Sequence, residues 1–322
     1  MNHWKHFLLA ACALGATLAV HAQDAYPSKP VKVIVALPAG GSVDMVARLV
    51  RQHLAADLGQ PFVIDNKAGG SGQIGVPQVA RAAPDGYTLM VSPASFLTTN
   101  KSLFKSLPYN PEADFAPITK LVNQAVVLVV PEKSRYATMA DLLAAAKAAP
   151  GKLTYASSGD GSPQHLAGLM LESRAGLKLL HVPYKGGAPA ITDLIGGQVD
   201  MVLAPLPEAL PHLKAGKLRA LGVLSTQRVA LLPAVPTMRE AGIDNLVLSA
   251  WIGFLAPART PQPVLDKLNK AVHAVLQGEA RAKLLDAGME PAIDDPKPLR
   301  QVIGEDIRLH AELIKAAGVV PQ

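Results

Sequence analysis

Short apolar runs alternate with stretches of helical periodicity along most of the chain. The run VKVIVAL at 31–37 lies between two prolines and predicts a buried strand. The stretch 42–59 predicts a helix that stops at Gly59, because its apolar residues recur at helical spacing: Val43, Val46, Val50 and Leu54. A strand, a short helix and another strand follow at 61–65, 74–83 and 87–92. This order is typical of a parallel sheet with helices on its faces.

The same alternation starts again in the second part of the chain. Strands are predicted at 125–131, 153–157, 179–184, 198–204 and 218–224, and helices at 138–151, 162–173, 188–197 and 207–216. From Val264 onward the chain is mainly helical, with a final helix over 297–317, and we expect this tail to pack back on the first lobe. Two such units predict two α/β lobes, each with its own sheet.

The first 22 residues have the features of a secretory leader. Lys5 precedes an apolar run at 7–20, and Val20 and Ala22 form a small-residue cleavage site. We therefore expect cleavage after Ala22 and export to the periplasm. A lipidated Cys12 is the alternative, but the apolar run before it is shorter than the roughly 7 to 15 residues such a segment needs.

Composition excludes several functional classes. Cys12 is the only cysteine, so the mature chain would have no disulfide, thiolate metal site or cysteine nucleophile. The formal net charge of +6 is spread along the chain, and aromatic residues make up only 4% of it. A nucleic-acid surface needs clustered basic residues and stacking aromatics, so no nucleic-acid partner is expected.

The loops that follow the predicted strands are rich in glycine and serine. They lie at 38–42, 68–73, 92–95, 157–162 and 184–187. Ligands of parallel α/β sheets bind at such loops, where the first N–H groups of each helix lack a partner. Taken alone, each loop is interpreted as a helix cap, with Ser42 and Ser162 as N-caps. Together, the loops predict a site in which N–H and hydroxyl donors surround an anion such as a carboxylate.

Catalytic motifs are weak in this sequence. Gly70, Gly72 and Gly75 have dinucleotide-binding spacing, but the next strand ends in Ser92 rather than in an acidic residue. We find neither a G-x-S-x-G nor an H-E-x-x-H motif, so no cofactor, metal or enzymatic activity is expected. His165 either donates to a bound carboxylate or caps its own loop, and both interpretations stay open. Asp44 is interpreted as complementing its helix dipole.

Several long blocks of the sequence match a known family. The blocks include YPSKPVKVIVALPAGGSVDMVARLV, GDGSPQHLAGLM, HVPYKGGAPAITDLIGGQVD and WIGFLAPARTP. They resemble the Bug-type receptors, the extracytoplasmic solute-binding proteins of tripartite tricarboxylate transporters, over roughly residues 25 to 320. The resemblance implies a type II periplasmic-binding-protein fold, with two α/β lobes and a ligand cleft between them. It also implies a monomer that binds a small carboxylate and then engages membrane transporter subunits.

The resemblance also implies domain limits and ligand-binding residues. Residues 1–22 would be the signal peptide, 23–122 with 225–322 the discontinuous first lobe, and 123–224 the second lobe. In the first lobe the matching ligand-binding positions are Ala39, Gly40, Gly41, Ser42, Gly72, Gln73 and Ser92. In the second lobe they are Ser157, Gly161, Ser162 and His165, with Tyr184 nearby.

Three departures from the family pattern affect the expected ligand. Ala39 stands where a second proline is usual, and Leu169 where a glutamate often follows the histidine. In LAPLPEAL, Ala204 and Pro205 replace a polar or acidic stretch, which makes this wall of the cleft less polar. We therefore add Pro205 to the binding residues and expect a ligand with an apolar or aromatic part. A sensor subunit that signals to a membrane kinase and an exported enzyme are the alternatives.

Overall fold

Ten strands form one continuous sheet in the computed structural model, which describes residues 26–293, 296–316 and 319–321. The predicted leader, its cleavage after Ala22 and Cys12 lie outside the described residues. The strands are β1 (Val31–Val35), β2 (Phe62–Asn66), β3 (Thr88–Pro93), β4 (Phe115–Pro131), β5 (Thr154–Ser157), β6 (Leu180–Pro183), β7 (Met201–Pro205), β8 (Leu218–Val223), β9 (Ser249–Pro257) and β10 (Met289–Pro291).

Helices connect most of these strands. They are α1 (Ser42–Leu58), α2 (Val76–Ala80), α3 (Ala94–Leu97), α4 (Asn100–Leu103), α5 (Met139–Ala148), α6 (Pro163–Ala175), α7 (Gly187–Ile195), α8 (Leu206–Lys214), α9 (Gln262–Gln277), α10 (Ala280–Asp286) and α11 (Pro296–Ala316). Among the described residues, no helix combines the length and the apolar character needed to cross a bilayer.

The sheet has two halves that share the long strand β4. The first half contains β1 to β3, β9 and β10, and the second half contains β5 to β8. Phe115 to Ala125 of β4 pair antiparallel with β9, whereas Val126 to Pro131 pair with β7 and β8. The expectation of a separate sheet in each lobe is thus corrected, because one strand of 17 residues belongs to both halves.

The helix boundaries follow from local chemistry. Gly59 ends α1 in the left-handed conformation at φ 70°, and its N–H donates to the carbonyl of Ala55, as the sequence predicts. Ser162 is the N-cap of α6 and Pro163 its first residue, also as predicted. The expected cap at Ser42 is wrong by one residue, because Gly41 is the N-cap of α1 and has no side chain to accept from the first-turn N–H groups.

The C-terminal helices cover the first half, as expected. Leu268 and Val272 of α9 pack with Val46 and Val50 of α1 in one buried cluster. Leu299 and Ile303 of α11 pack with the buried Trp251. The C-terminal end of α11 reaches the second half, where Leu313 and Ile314 join the core. One helix therefore packs against both halves of the sheet.

Candidate functional site

A cavity of about 670 Å³ lies between the two halves of the sheet. Its lining from the first half includes Ser42, Gly72 and Phe96, and its lining from the second half includes Ser162, Tyr184 and Glu208. This volume is typical of a pocket that encloses a small organic molecule.

Four helices of nine or more residues begin at this cavity. The lining includes Ser42 at the start of α1, Ser162 before α6, Gly186 before α7 and Pro205 before α8. The first N–H groups of a helix have no partner within the helix, and the helix dipole places partial positive charge there. Because four such ends converge, the cavity favours a negatively charged group.

The loop before α1 is shaped by a buried acid. Asp44 is only 3% exposed and accepts hydrogen bonds from the Gly40 N–H (3.0 Å), Arg48 Nε (2.8 Å) and Asn66 Nδ2 (3.0 Å). Burial opposes ionisation of Asp44, but these donors outweigh it and hold its pKa below the ordinary value. Asp44 itself does not line the cavity, so its role in the structure is to fix the conformation of the loop before α1.

The glycine-rich loop at 68–73 approaches the cavity closely. Gly72 has φ +88°, and a Cβ on it would lie 2.6 Å from the Phe96 ring, so a larger residue does not fit. Ser71 has φ 51°, and its hydroxyl donates to the carbonyl of Asp160 in the second half at 2.8 Å. The loop thus lines the cavity and also joins the two halves.

The histidine at the start of α6 makes a contact within its own loop. Nδ1 of His165 accepts from the N–H of Gly161 at 3.1 Å, and its ring stacks on His181 with centroids 4.1 Å apart. Burial lowers the pKa of His165 to about 4, and nearby His181 adds to the effect. The bond from Gly161 therefore supports the interpretation that His165 caps its own loop. Donation from His165 to a ligand stays a prediction.

The predicted binding residues divide into two groups. Those that line the cavity are Ser42, Gly72, Ser162, Tyr184 and Pro205. Those in the same loops and strands but not among the lining residues are Ala39, Gly40, Gly41, Gln73, Ser92, Ser157, Gly161 and His165. Two hydroxyls of the second group are already bonded, Ser92 to the carbonyl of Pro93 at 3.0 Å and Ser157 to His181 at 2.7 Å.

Two polar residues of the lining were missed in the sequence. Ser95 and Gln124 are each 3% exposed, and Ser95 Oγ and Gln124 Nε2 have no hydrogen-bond partner among the described residues. A buried polar atom without a partner costs free energy, and both residues line the cavity. Ser95 belongs to a loop that the sequence flagged, but Gln124 lies inside a strand, where no local signal marks it.

An apolar wall faces these polar groups. Phe96, Trp251 and Ile252 line the cavity and are at most 4% exposed. The indole N–H of Trp251 donates to Asp306 of α11 at 2.8 Å, which fixes the ring. The cavity therefore offers an apolar surface beside its hydrogen-bond donors.

Glu208 is a further lining residue that was missed in the sequence, and it lies in the first turn of α8. Gln164 Nε2 donates to its carboxylate at 3.0 Å, and Gln164 Oε1 in turn accepts from Ser158 at 2.9 Å. Burial raises the pKa of Glu208 to about 7, against the lowering effect of the Gln164 hydrogen bond. An acidic first-turn residue is common in helices, so the sequence alone did not mark this one.

One cluster of described residues has metal-ligand spacing. The candidate ligand atoms of Asp160, His165 and His181 lie within 4.8 Å of one another. The two imidazoles are stacked with an angle of only 3° between their planes. A zinc ion needs to lie about 2.0 Å from each nitrogen and near each ring plane, which stacked rings do not permit. The cluster fits a hydrogen-bonded support of the loop better than a metal centre.

Comparisons with known proteins agree with this arrangement. The family model described as "Tripartite tricarboxylate transporter family receptor" matches residues 46–319. Protein BugT of Bordetella pertussis is 37% identical over 297 residues, which cover 92% of this chain and 91% of BugT.

Two solved structures show the same fold. A protein of R. palustris, solved with adipate, has a TM-score of 0.89 and 33% identity, covering 92% of this chain and 100% of that one. MatC from Rhodopseudomonas palustris with bound malate has a TM-score of 0.85 and 33% identity, covering 90% and 100%. The expected two-lobe α/β fold of solute-binding proteins is confirmed, and the chain belongs to the receptor family of tripartite tricarboxylate transporters.

Proposed function

We propose that this chain is a periplasmic receptor that binds a small organic carboxylate with an apolar or aromatic part. The observation that carries the proposal is the cavity itself, where four helix N-termini and the polar residues Ser95 and Gln124 lie in the same lining as an apolar wall. The solved relatives with adipate and malate support a carboxylate as ligand.

The proposal includes the leader, the lobes and the partner. Residues 1–22 direct export, residues 23–122 with 225–322 form one lobe, and residues 123–224 form the other. The lobes close on the ligand, and a tripartite tricarboxylate-type transporter receives the closed form. If membranes instead yield a kinase in a pull-down with the liganded protein, the receptor serves a sensor and not a transporter.

The ligand class is tested by thermal shift and calorimetry on protein purified from the periplasm. The panel contains benzoate and other aromatic monocarboxylates, adipate, malate and glutamate, with NAD and NADP as controls. A ligand at 100 times its Kd adds about 2.7 kcal/mol and raises the melting temperature by a few degrees. We expect aromatic or aliphatic carboxylates to bind more tightly than glutamate. Tighter binding of glutamate contradicts the apolar part, and a shift with NAD alone contradicts the receptor function.

A further inference from the structure

Glu208 places an acidic group in a cavity that otherwise favours anions. Its carboxylate lies against the start of α7, where a Cβ on Gly187 would be only 2.2 Å from Oε2. The glycine thus leaves the space that the carboxylate occupies. The side chain is held at the cavity wall by this packing and by Gln164.

The hydrogen bonds around Glu208 supply little compensation for its charge. Since Ser158 donates to Oε1 of Gln164, the amide of Gln164 is oriented with its Nε2 toward Glu208. Within the described part of the chain, no ion pair joins Glu208 to a basic residue. Asp160 and Lys185 are the other charged residues of the lining, and Lys185 is exposed.

A carboxylate in this setting discriminates strongly between ligand groups. A donor such as a hydroxyl or an ammonium gives Glu208 the partner that a sequestered acid requires. A second carboxylate at the same place would put two like charges together, which weakens binding of such a ligand. The helix N-termini at the cavity remain available for the first carboxylate of the ligand.

We propose, on the basis of the proposed function, that Glu208 is a specificity-determining residue for a carboxylate that also carries a hydrogen-bond donor. Glu208 accepts from a hydroxyl or ammonium group of the ligand and excludes ligands with a second carboxylate at that place. The receptor thereby differs in selectivity from the relative solved with adipate, a dicarboxylate.

A matched set of ligands tests this assignment. Hexanoate, 6-hydroxyhexanoate, 6-aminohexanoate and adipate share one carboxylate and a six-carbon chain and differ only at the far end. At about pH 8, where Glu208 is ionised, calorimetry should show that the wild-type protein binds the hydroxy or amino acid at least about tenfold more tightly than adipate. The wild-type ranking requires no variant, so it is independent of any folding defect. Benzoate, 4-(hydroxymethyl)benzoate and terephthalate form the corresponding aromatic set.

The variant Glu208→Gln removes the charge and keeps the size of the side chain. It should gain at least about tenfold in affinity for the dicarboxylate and reduce the preference for the donor ligand to about threefold or less. Glu172→Gln is the control, since Glu172 is a partly buried acid that accepts from the Leu179 N–H at the far end of α6. It should leave the ranking unchanged.

Two results would overturn the assignment while leaving the carboxylate receptor in place. One is a wild-type protein that binds adipate or terephthalate as tightly as the donor ligands, and the other is an unchanged ranking in Glu208→Gln. If neither protein binds any member of the two sets, the proposed function itself fails and the assignment fails with it.

Discussion

Asp44 and Glu208 are acids in the first turns of helices that begin at the cavity, but their surroundings are opposite. The helix dipole favours a negative charge at both places. Asp44 accepts from three donors, including Arg48, and its pKa is lowered. Glu208 has Gln164 as its hydrogen-bond partner and its pKa is raised. Local donors, and not helix position, therefore decide which acid stabilises the fold and which is left for a ligand.

The raised pKa of Glu208 predicts a stability cost at alkaline pH in the absence of ligand. The ordinary pKa is 4.5 and the folded value is about 7. Below the ordinary pKa both folded and unfolded chains are protonated, so nothing is lost. Between the ordinary and the folded pKa the unfolded chain releases this proton while the folded chain keeps it, so stability falls as pH rises through this range and stays lower above it. A shift of this size corresponds to about 3 kcal/mol at most, and solvent reduces it because Glu208 is only half-buried. Glu208→Gln should thus be more stable than wild type by about 1–3 kcal/mol near pH 8 and about equal to it near pH 4.

Denaturant unfolding of both proteins at these two pH values measures the difference. Glu172→Gln serves as a comparison outside the cavity. Burial also raises the pKa of Glu172, so this variant should change stability in the same direction. A Glu208→Gln variant that is equally or less stable than wild type near pH 8 would show that the Glu208 carboxylate already has a stabilising partner in the folded protein.

At the scale of elements, most helices and strands could be predicted where a clear hydrophobic periodicity ends at a glycine or a proline. Strand β1, helix α1 and the cap at Gly59 follow from local pattern. The first part of β4 and all of β9 were not predicted. Pro117, Lys120 and Asn123 break the apolar pattern of β4, and register shifts in its pairing with β9 accommodate the irregularity.

The difference between local sequence patterns and long-range pairing also explains which parts of the site could be predicted. The glycine and serine loops lie near one another because parallel strands place their carboxyl ends at the same edge of a sheet. Gln124 and Trp251 reach the cavity through the antiparallel pairing of β4 with β9, which joins residues far apart in sequence. Such long-range pairing has no local signal, so these two residues could not be assigned to the site beforehand.

Two glycines inside helices provide a matched test of packing. Gly168 of α6 faces Tyr155, and a Cβ on it would lie 2.1 Å from the ring, whereas Gly304 of α11 has open space. Gly168→Ala should lower the free energy of unfolding by about 1–3 kcal/mol through overpacking. Gly304→Ala should raise it by about 0.5–1 kcal/mol, since alanine is the better helix former. Denaturant unfolding of both variants checks the signs, and a stabilised Gly168→Ala would mean that Tyr155 moves freely.

At the scale of the whole molecule, the two halves meet in a few places around the cavity. They share β4, and α11 packs on both. On the cavity side, the hydroxyl of Ser71 donates to the carbonyl of Asp160. A residue other than glycine with positive φ, such as Ser71 at 51°, carries strain, so its conformation must be maintained by surrounding contacts. If the proposed lobes open to admit a ligand, this hydrogen bond must break each time.

Ser71→Ala therefore tests whether the Ser71–Asp160 bond belongs to the ligand-bound state. Loss of one neutral hydrogen bond costs about 0.5–1.5 kcal/mol, which corresponds to an affinity weaker by about twofold to thirteenfold. We expect most of the change in the dissociation rate, because the bond forms after the ligand has entered. Stopped-flow release of the tightest carboxylate in the panel measures it, with Ser28→Ala as control, since the Ser28 hydroxyl bonds Tyr87 outside the cavity. Release at the wild-type rate from Ser71→Ala would mean that the halves stay together without this bond.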